Sequence, residues 1–309
     1  MKTLRIVFMG SPEFAVPSLE KLQSSHHNIV AVVTGSDKRR GRGKEKSPTA
    51  VKKAAIRHGL PIIEVDDLKS ADFIQMLKTS NADLFVVVAF RVLPQIILDI
   101  PHIGSVNLHA SLLPQYRGAA PIHHAVMNGE TETGCTVFFL DEKVDTGNIL
   151  LQERTEIGPH ENTGSVYERL MYLGADLLLK SVDSIAGNKY QLIQQDDKEA
   201  TPAPKIFPED CRIDFSEKKN CVYNKVRGLS PSPGAWAVLD GQRLRIHECR
   251  PAEYTSTDIR PAQIIVDNNK VLAGCADGGV ELLKVQLEGK KIMEASEFFR
   301  GYKGATVLE

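Results

Sequence analysis

The sequence predicts an α/β protein in which a parallel-sheet domain is followed by a small β-barrel. Its length of 309 residues is long for one domain and sufficient for two. The first half alternates short apolar runs with segments of helical periodicity, which is typical of a parallel sheet covered by helices. The last third contains short strand-like runs separated by turn signals, which is typical of a barrel or a sandwich.

The first domain is predicted to span residues 1–187 and to contain a Rossmann-like sheet. Residues 4–9 and 28–34 are apolar runs, and Ser11 and Pro12 are expected to start the helix between them. The most apolar run, residues 83–89, is predicted to be a central strand, and residues 163–186 to be a long helix. The first turn lacks a Gly-x-Gly-x-x-Gly pattern, so a nicotinamide cofactor is not expected.

Residues 188–205 are predicted to be a linker, because this segment is polar and ends in a proline-containing run. Beyond it, residues 206–309 are predicted to form an OB-like β-barrel and a helix over residues 295–302. Turn signals at Gly241, Asn268-Asn269 and Asp277-Gly278 separate the predicted strands, which are residues 235–239, 244–248, 262–266, 270–274 and 279–286.

Composition indicates a soluble globular protein, since the net charge is −1 and no apolar run is long enough to span a bilayer. The five cysteines are widely scattered, with neither the spacing of metal ligands nor that of a disulfide framework. A reducing, cytoplasmic location is therefore expected. His123 and His124 lack the partners of a zinc motif, and no metal is expected.

Asn107 and His109 interrupt an otherwise apolar run at the predicted end of a strand. Strand side chains alternate with a period of two, so both should point to one face and Val106 and Leu108 to the other. An unpaired buried amide costs roughly 1–3 kcal/mol, so two polar residues on one face indicate a site. Asp145 follows in a turn-rich segment between two further apolar runs.

These residue types indicate acyl transfer without a covalent protein intermediate. No serine or cysteine nucleophile is evident, so the substrate would supply its own, for example an amine. Asn107 can donate hydrogen bonds to a developing oxyanion, as can a protonated His109, and Asp145 can hold the imidazolium or accept a proton through water. The spacing alone leaves open a second interpretation, a polar strand end with a structurally satisfied histidine.

Residues 35–46 form a glycine-rich segment with a local excess of positive charge. A flexible, arginine-rich loop is suited to phosphate contacts, which suggests a nucleic-acid partner. The alternative is a solvated surface loop, which is the more common role of a charge run. The candidate phosphate-binding residues are Arg39, Arg40, Arg42 and Lys44.

Asn107-Leu108-His109, followed by Ser111-Leu112-Leu113-Pro114, resembles the N-x-H and SLLP signature of the 10-formyltetrahydrofolate-dependent formyltransferases. Residues 117–122 continue the match, and Asp145-Thr146-Gly147 resembles the family's D-T/A-G loop. Residues 8–15, 41–44 and 201–206 resemble the branch of the family that acts on initiator methionyl-tRNA. The similarity extends through both predicted domains.

The resemblance implies transfer of a formyl group from 10-formyltetrahydrofolate to the α-amino group of methionine on initiator tRNA. Asn107 and His109 would stabilise the oxyanion, and Asp145 would orient His109 and help to remove the amine proton. The tRNA would contact the basic loop and the C-terminal barrel of a monomeric protein with no membrane partner. The folate pocket would be bordered by Ala89, Phe90, Leu93, Ser111, Leu112, Leu113 and Pro114.

Two alternatives to this function remain. A sugar-nucleotide N-formyltransferase would use the same carrier and catalytic residues but would not need the basic loop. A folate-binding regulator is disfavoured by the complete set of Asn107, His109 and Asp145. A deformylase is disfavoured because no extra N-terminal regulatory domain is expected before residue 1. One departure from the family lies in the turn Phe90-Arg91, where relatives more often have Tyr-Gly, and this change is expected to affect the pocket wall.

Overall fold

The computed structural model describes residues 2–39, 46–252 and 259–309. The chain forms two compact units, one made of residues 1–118, 133–155 and 167–202 and the other of residues 119–132, 156–166 and 203–309. Each unit is therefore discontinuous in sequence, because residues 119–132 and 156–166 belong with the C-terminal part of the chain. The predicted linear boundaries at 188–205 stay a prediction.

The first two hundred residues alternate strands and helices, as the sequence predicts. The helices are α1 (Val16–Gln23), α2 (Ala50–Arg57), α3 (Ala71–Thr79), α4 (Gln95–Leu98), α5 (Pro121–Met127) and α6 (Thr163–Ala186). The strands are β1 (Arg5–Gly10), β2 (Asn28–Thr34), β3 (Lys38–Arg39), β4 (Lys46–Ser47), β5 (Ile62–Glu64), β6 (Leu84–Val88), β7 (Gly104–His109), β8 (Arg117–Gly118), β9 (Glu132–Phe139), β10 (Ile149–Glu156) and β11 (Pro202–Ala203).

Seven strands form the sheet of the first unit in the order β10-β9-β7-β6-β1-β2-β5. The pairs β7–β6, β6–β1, β1–β2 and β2–β5 are parallel, which confirms the predicted α/β fold class. β9 runs antiparallel to β7, which the sequence did not predict. β6 is fully buried and lies between β1 and β7, so the most apolar run is a central strand, as predicted.

Two helix starts differ from the prediction, which placed them at Ser11-Pro12 and at Ser47-Pro48. Pro12 precedes a 3-10 turn, Glu13–Ala15, without a side-chain cap, and the hydroxyl of Ser11 lies near Thr34 instead. α2 begins after Thr49, whose side chain accepts a hydrogen bond from the Lys52 N–H. Thr49 is therefore the residue that caps the first turn, and its hydroxyl also bonds to Thr34, which ties α2 to β2.

After residue 203, the described part of the second unit contains two helices, α7 (Lys219–Gly228) and α8 (Ala295–Gly301). It also contains six strands: β12 (Ala235–Leu239), β13 (Gln242–Pro251), β14 (Ile264–Asp267), β15 (Lys270–Cys275), β16 (Gly278–Leu287) and β17 (Met293–Glu294). Every predicted strand and the terminal helix are present within a few residues. The sequence analysis missed α7 and β17. Asp240, Asn268 and Asn269 have positive φ angles of 48°, 46° and 66°, so the predicted turns are where the chain reverses.

The C-terminal segment closes this second sheet into a small barrel. The strand order β12-β13-β16-β15-β14 leaves β12 and β14 as the two edges. Val238 on β12 exchanges both backbone hydrogen bonds with Glu309, and Leu308 donates to the carbonyl of Ala262 beside β14. A sheet without free edges follows, around a core that includes Leu244, Val280 and Leu308.

Within the described residues, no helix has both the length and the apolar content that are needed to span a bilayer.

The buried His27 predicts a loss of stability in acid. Its Nδ1 accepts a hydrogen bond from the Leu4 N–H at 3.2 Å, and its Nε2 lies 3.0 Å from Asp183 Oδ1. Burial lowers the pKa of His27 below its usual value. The unfolded chain therefore takes up this proton first as the pH falls, so the free energy of unfolding should decline below about pH 6.5.

Urea titrations at pH 7.5 and pH 5.5 measure this effect. His27→Gln should show a smaller difference between the two free energies than the unchanged protein shows. His102→Gln, at an exposed position outside this cluster, is the matched control and should keep the full difference. Equal pH dependence in the His27 variant and the unchanged protein would assign the acid sensitivity to other groups.

Thr136 on β9 fixes the segment of residues 111–114. Its hydroxyl donates to the carbonyl of Ser111 at 2.7 Å and accepts from the Leu113 N–H at 3.1 Å and from Gln152 Nε2 at 2.9 Å. Thr136→Val keeps the shape but leaves the Ser111 carbonyl and the Leu113 N–H unpaired, so unfolding should require about 1–3 kcal/mol less. Thr131→Val, at an exposed position, should change the unfolding free energy little, and equal losses would contradict this role.

Candidate active site

The candidate site lies at the C-terminal end of β7. Asn107 of β7 lies between Val87 of β6 and Phe138 of β9 in the sheet. His109 pairs with Thr136 of β9. Asn107 and His109 therefore share one face of the sheet, as predicted from their spacing. On the other face, Leu108 packs beneath α6, where it contacts Gly174.

The imidazole of His109 is buried between two hydrogen-bond acceptors. Its Nε2 lies 2.8 Å from the carbonyl oxygen of Tyr116, and its Nδ1 lies 3.7 Å from Oδ2 of Asp145. A carbonyl only accepts, so Nε2 must carry a proton. Nδ1 faces the Asp145 carboxylate, so the ring nitrogens lie between a backbone acceptor and a side-chain acceptor.

Asp145 is fixed by backbone groups. Its Oδ2 accepts a hydrogen bond from the Gly118 N–H at 2.9 Å, and the residue is 8 % exposed. Asp145, Tyr116 and Ala89 have positive φ angles of 56°, 60° and 47°, a region that costs non-glycine residues roughly 1–2 kcal/mol each. Such strain is stored at functional sites when the surrounding structure enforces it.

The carboxamide of Asn107 is available to a ligand. The side chain is partly exposed, and in the part of the chain that the structure describes it has no hydrogen-bond partner. Its backbone is held in the sheet between β6 and β9. Amide N–H groups at a fixed position without a protein partner are suited to bind an oxyanion.

The predicted folate-pocket residues differ in how much surface they can offer. Because Val88 pairs with Leu108, Ala89 follows next to His109, at the same edge of the sheet. Ala89 is exposed, and Phe90 and Leu112 are partly buried. The remaining members of the set are buried: Leu93, Ser111, Leu113 and Pro114.

The turn that departs from the family pattern is firmly held. The guanidinium of Arg91 donates to the carbonyls of Val65 and Asp66 at 2.7 and 2.6 Å. It also lies 5.2 Å from the centre of the Phe90 ring, within cation–π distance. The arginine therefore braces the turn against the segment after β5.

Most of the predicted phosphate-binding residues lie outside the described part of the chain. Arg39 belongs to β3, which pairs antiparallel with β4. Arg40, Arg42 and Lys44 fall outside the described residues. The role of the basic loop stays a prediction.

Buried thiols in the structure do not supply a nucleophile. All five cysteines are free, and burial raises the pKa of Cys135 to about 12. Burial likewise raises the pKa of Cys211, Cys249 and Cys275 above the usual value. A buried thiol with a raised pKa is inert as a thiolate nucleophile, which agrees with direct transfer to a nucleophile on the substrate.

Within the described ranges, one group of side chains has the spacing of metal ligands: His26, His27 and Asp183. His27 fits this role poorly, because its Nδ1 accepts from a backbone N–H and its Nε2 must therefore carry the proton. His123 and His124 instead bond to the carbonyls of Ser232 and Pro204. The absence of a metal stays a prediction.

The structure adds residues that the sequence analysis did not assign to the site. The carbonyl of Tyr116 and the N–H of Gly118 contact His109 and Asp145, and Gln195 donates to the carbonyl of Asp145. Backbone groups carry no signature in their residue type. Gln195 lies in the predicted linker, where its polar neighbours indicated a solvated segment.

Comparison with known proteins follows the division of the chain. The family described as "Formyl transferase" matches residues 4–182, and "Formyl transferase, C-terminal domain" matches residues 205–303. The methionyl-tRNA formyltransferase of Chlorobium limicola is 43% identical over 97% of this chain and 96% of its own length. The methionyl-tRNA formyltransferase of Bacteroides fragilis is 44% identical over 97% of this chain and 95% of its own length.

Solved structures share the fold at lower identity. A sugar 3N-formyl transferase, WlaRD, crystallised with dTDP and 5-N-formyl-THF, has a TM-score of 0.67 at 19% identity, over 94% of this chain and all of that chain. Glycinamide ribonucleotide transformylase 1 from Symbiobacterium toebii has a TM-score of 0.53 at 18% identity, over 63% of this chain and 95% of that chain. By its two domain matches and its full-length relatives, the chain belongs to the formyltransferase family.

Proposed function

We propose that this protein transfers the formyl group of 10-formyltetrahydrofolate to the α-amino group of methionine on initiator methionyl-tRNA. The observation that carries this proposal is the grouping of His109, Asp145 and an unpartnered Asn107 carboxamide at one edge of the sheet. Full-length relatives with the printed name methionyl-tRNA formyltransferase support the choice of acceptor.

In the proposed reaction, the neutral amine attacks the formyl carbon and the carbonyl oxygen becomes an oxyanion. Hydrogen bonds to the oxyanion that strengthen as this negative charge develops lower the barrier to formyl transfer. The Asn107 carboxamide is free to donate, and the imidazolium of His109 provides positive charge beside it. Asp145 keeps that charge in place through its carboxylate.

Collapse of the intermediate breaks the bond between the formyl carbon and N10 of the carrier. The amine nitrogen loses one proton and N10 gains one, so no net acid or base is consumed. His109 and Asp145 form the proton path that this exchange requires, because one is a donor and the other an acceptor. The folate ring would lie against Ala89, Phe90 and Leu112, which offer accessible surface near the pair.

The C-terminal segment of residues 206–309 offers a cationic surface for the tRNA, although its fifteen basic and fifteen acidic residues balance. Arg212 and Arg243 lie 5.9 and 4.3 Å from the centre of the Trp236 ring, and Arg245 pairs with Trp236 across β12 and β13. Among the described residues none of these arginines has an ion-pair partner. Positive charge is therefore segregated to the outer face of these two strands.

A sugar-nucleotide N-formyltransferase is the second candidate. Its support is the likeness to WlaRD, which at 19% identity extends to the fold alone. A competition assay separates the two candidate functions. It offers charged initiator tRNA and amino-sugar nucleotides side by side, with the same carrier. Preferential formylation of the sugar would overturn the proposed acceptor. The monomeric state and the cytoplasmic location stay predictions.

Removal of a transition-state donor should slow formyl transfer without weakening carrier binding. For Asn107→Ala and for His109→Ala, we expect single-turnover rates lower by about 10²–10³-fold, equivalent to roughly 2.7–4 kcal/mol. Stopped single turnovers with saturating carrier measure the rate, and fluorescence titration measures carrier affinity. His102→Ala, at an exposed position outside the site, is the control. A near-normal rate in either site variant would remove its residue from the proposed mechanism.

Neutralising the arginine surface should weaken tRNA binding and reduce its salt dependence. Each lost phosphate contact lowers the slope of log Kd against log salt by about one. Arg243→Ala with Arg245→Ala should therefore flatten the slope by about two. Arg250→Ala is the matched control on the same strand, because Glu281 already neutralises Arg250 at 2.9 Å. Identical slopes for the double variant and the control would exclude this surface from the tRNA interface.

A further inference from the structure

We infer that Gln195 is a positioning residue that holds His109 and Asp145 in register for formyl transfer. This inference rests on the proposed function, since it concerns the same site. Gln195 lies far from both residues in sequence, in the polar segment that follows α6. Its side chain is buried, with the residue only 9 % exposed.

The amide nitrogen of Gln195 fixes the loop that contains Asp145. It donates to the carbonyl oxygen of Asp145 at 3.0 Å and to that of Gly147 at 2.8 Å. Asp145 has a positive φ of 56°, so the loop is held in a conformation that an aspartate alone disfavours. The two hydrogen bonds bracket the loop and oppose its relaxation.

The amide oxygen of Gln195 fixes the segment that contacts His109. It accepts from Nε and Nη2 of Arg117 at 3.0 and 2.7 Å. Arg117 lies between Tyr116, whose carbonyl faces Nε2 of His109, and Gly118, whose N–H bonds to Asp145. A single carboxamide therefore connects both backbone segments that surround the catalytic pair.

The hydrogen-bonding capacity of this side chain is fully used. A glutamine amide has two N–H groups and one oxygen with two lone pairs, and all four find partners here. Arg117 is in turn held by Asp197 at 2.8 Å. No other neutral side chain of similar length supplies two donors and a two-fold acceptor, so the residue type is specified by the site.

The distance between His109 and Asp145 explains why such positioning matters. At 3.7 Å, the ring nitrogen and the carboxylate oxygen are further apart than the two atoms of a good hydrogen bond. A further displacement of about 1 Å can cost a reaction about 10²-fold, even when the change lies away from the reacting atoms. Freeing the 145–147 loop is a change of this kind.

Gln195→Met removes all four hydrogen bonds and keeps the length of the side chain. We expect single-turnover formyl transfer to fall by about 10–100-fold, with the carrier Kd unchanged. Gln194→Met is the matched control, since the adjacent residue is exposed, and it should transfer at the normal rate. Equal rates for both variants would overturn the inference.

A double-variant cycle separates positioning from a general loss of stability. Because Gln195 acts in part through the loop of Asp145, Gln195→Met should lower the rate by a smaller factor in an Asp145→Asn background than in the unchanged background. A loss there as large as in the unchanged background would show a role that does not involve Asp145, and would overturn the inference. Gln195→Glu keeps the acceptor for Arg117 but removes both donors, so it should reproduce the Met variant even if the latter folds poorly.

A readout independent of activity distinguishes this inference from the proposed function. The nitrogen-15 resonances of the His109 imidazole report the partners of both ring nitrogens. They should shift in Gln195→Met and not in Gln194→Met. Unmoved His109 resonances in Gln195→Met would overturn the inference, whereas a failure of the unchanged protein to transfer a formyl group would overturn only the proposed function.

Discussion

The hydrogen bond between the imidazole of His109 and the carbonyl of Tyr116 is the contact on which the candidate site depends. It assigns a proton to Nε2 and turns Nδ1 toward Asp145. A side-chain partner could rotate away, but the carbonyl belongs to a segment that also donates through Gly118 to the same carboxylate. The ring and the carboxylate are therefore located by one stretch of backbone.

Backbone strain around His109 is offset by the rigid packing of the neighbouring segments. Tyr116 and Asp145 both have left-handed backbones, at φ of 60° and 56°, which together cost on the order of 2–4 kcal/mol. Thr136 is buried on the neighbouring strand and holds the segment after His109 through two hydrogen bonds, to Ser111 and Leu113. Position 147 requires glycine because the backbone packs closely there. A Cβ at this position would lie 1.7 Å from the carbonyl oxygen of Phe139.

Much of the fold followed from local patterns in the sequence. The run of residues 28–34 and the helix of residues 163–186 have the predicted bounds, since apolar periodicity is decisive in long or fully buried elements. The antiparallel direction of β9 was not predictable, because strand direction depends on connections and not on composition. α7 was missed, since it carries five polar or charged residues among its ten and shows little apolar periodicity.

The site was predictable only as far as its chemistry lies in side chains. Asn107 and His109 were recognisable because polar residues at a spacing of two are costly in a buried strand. The carbonyl of Tyr116 and the N–H of Gly118 could not be found this way, since every residue has such groups and only the fold aims them. Gln195 has a chemically specific side chain, but its neighbours in the sequence are polar. The sequence therefore predicted a solvated linker at this position and not a site residue. Burial separates Gln195 from Gln194, because a carboxamide removed from water must find four partners. Those four partners belong to the segments around His109 and Asp145. The hydrogen bonds that satisfy the buried amide therefore also align His109 with Asp145.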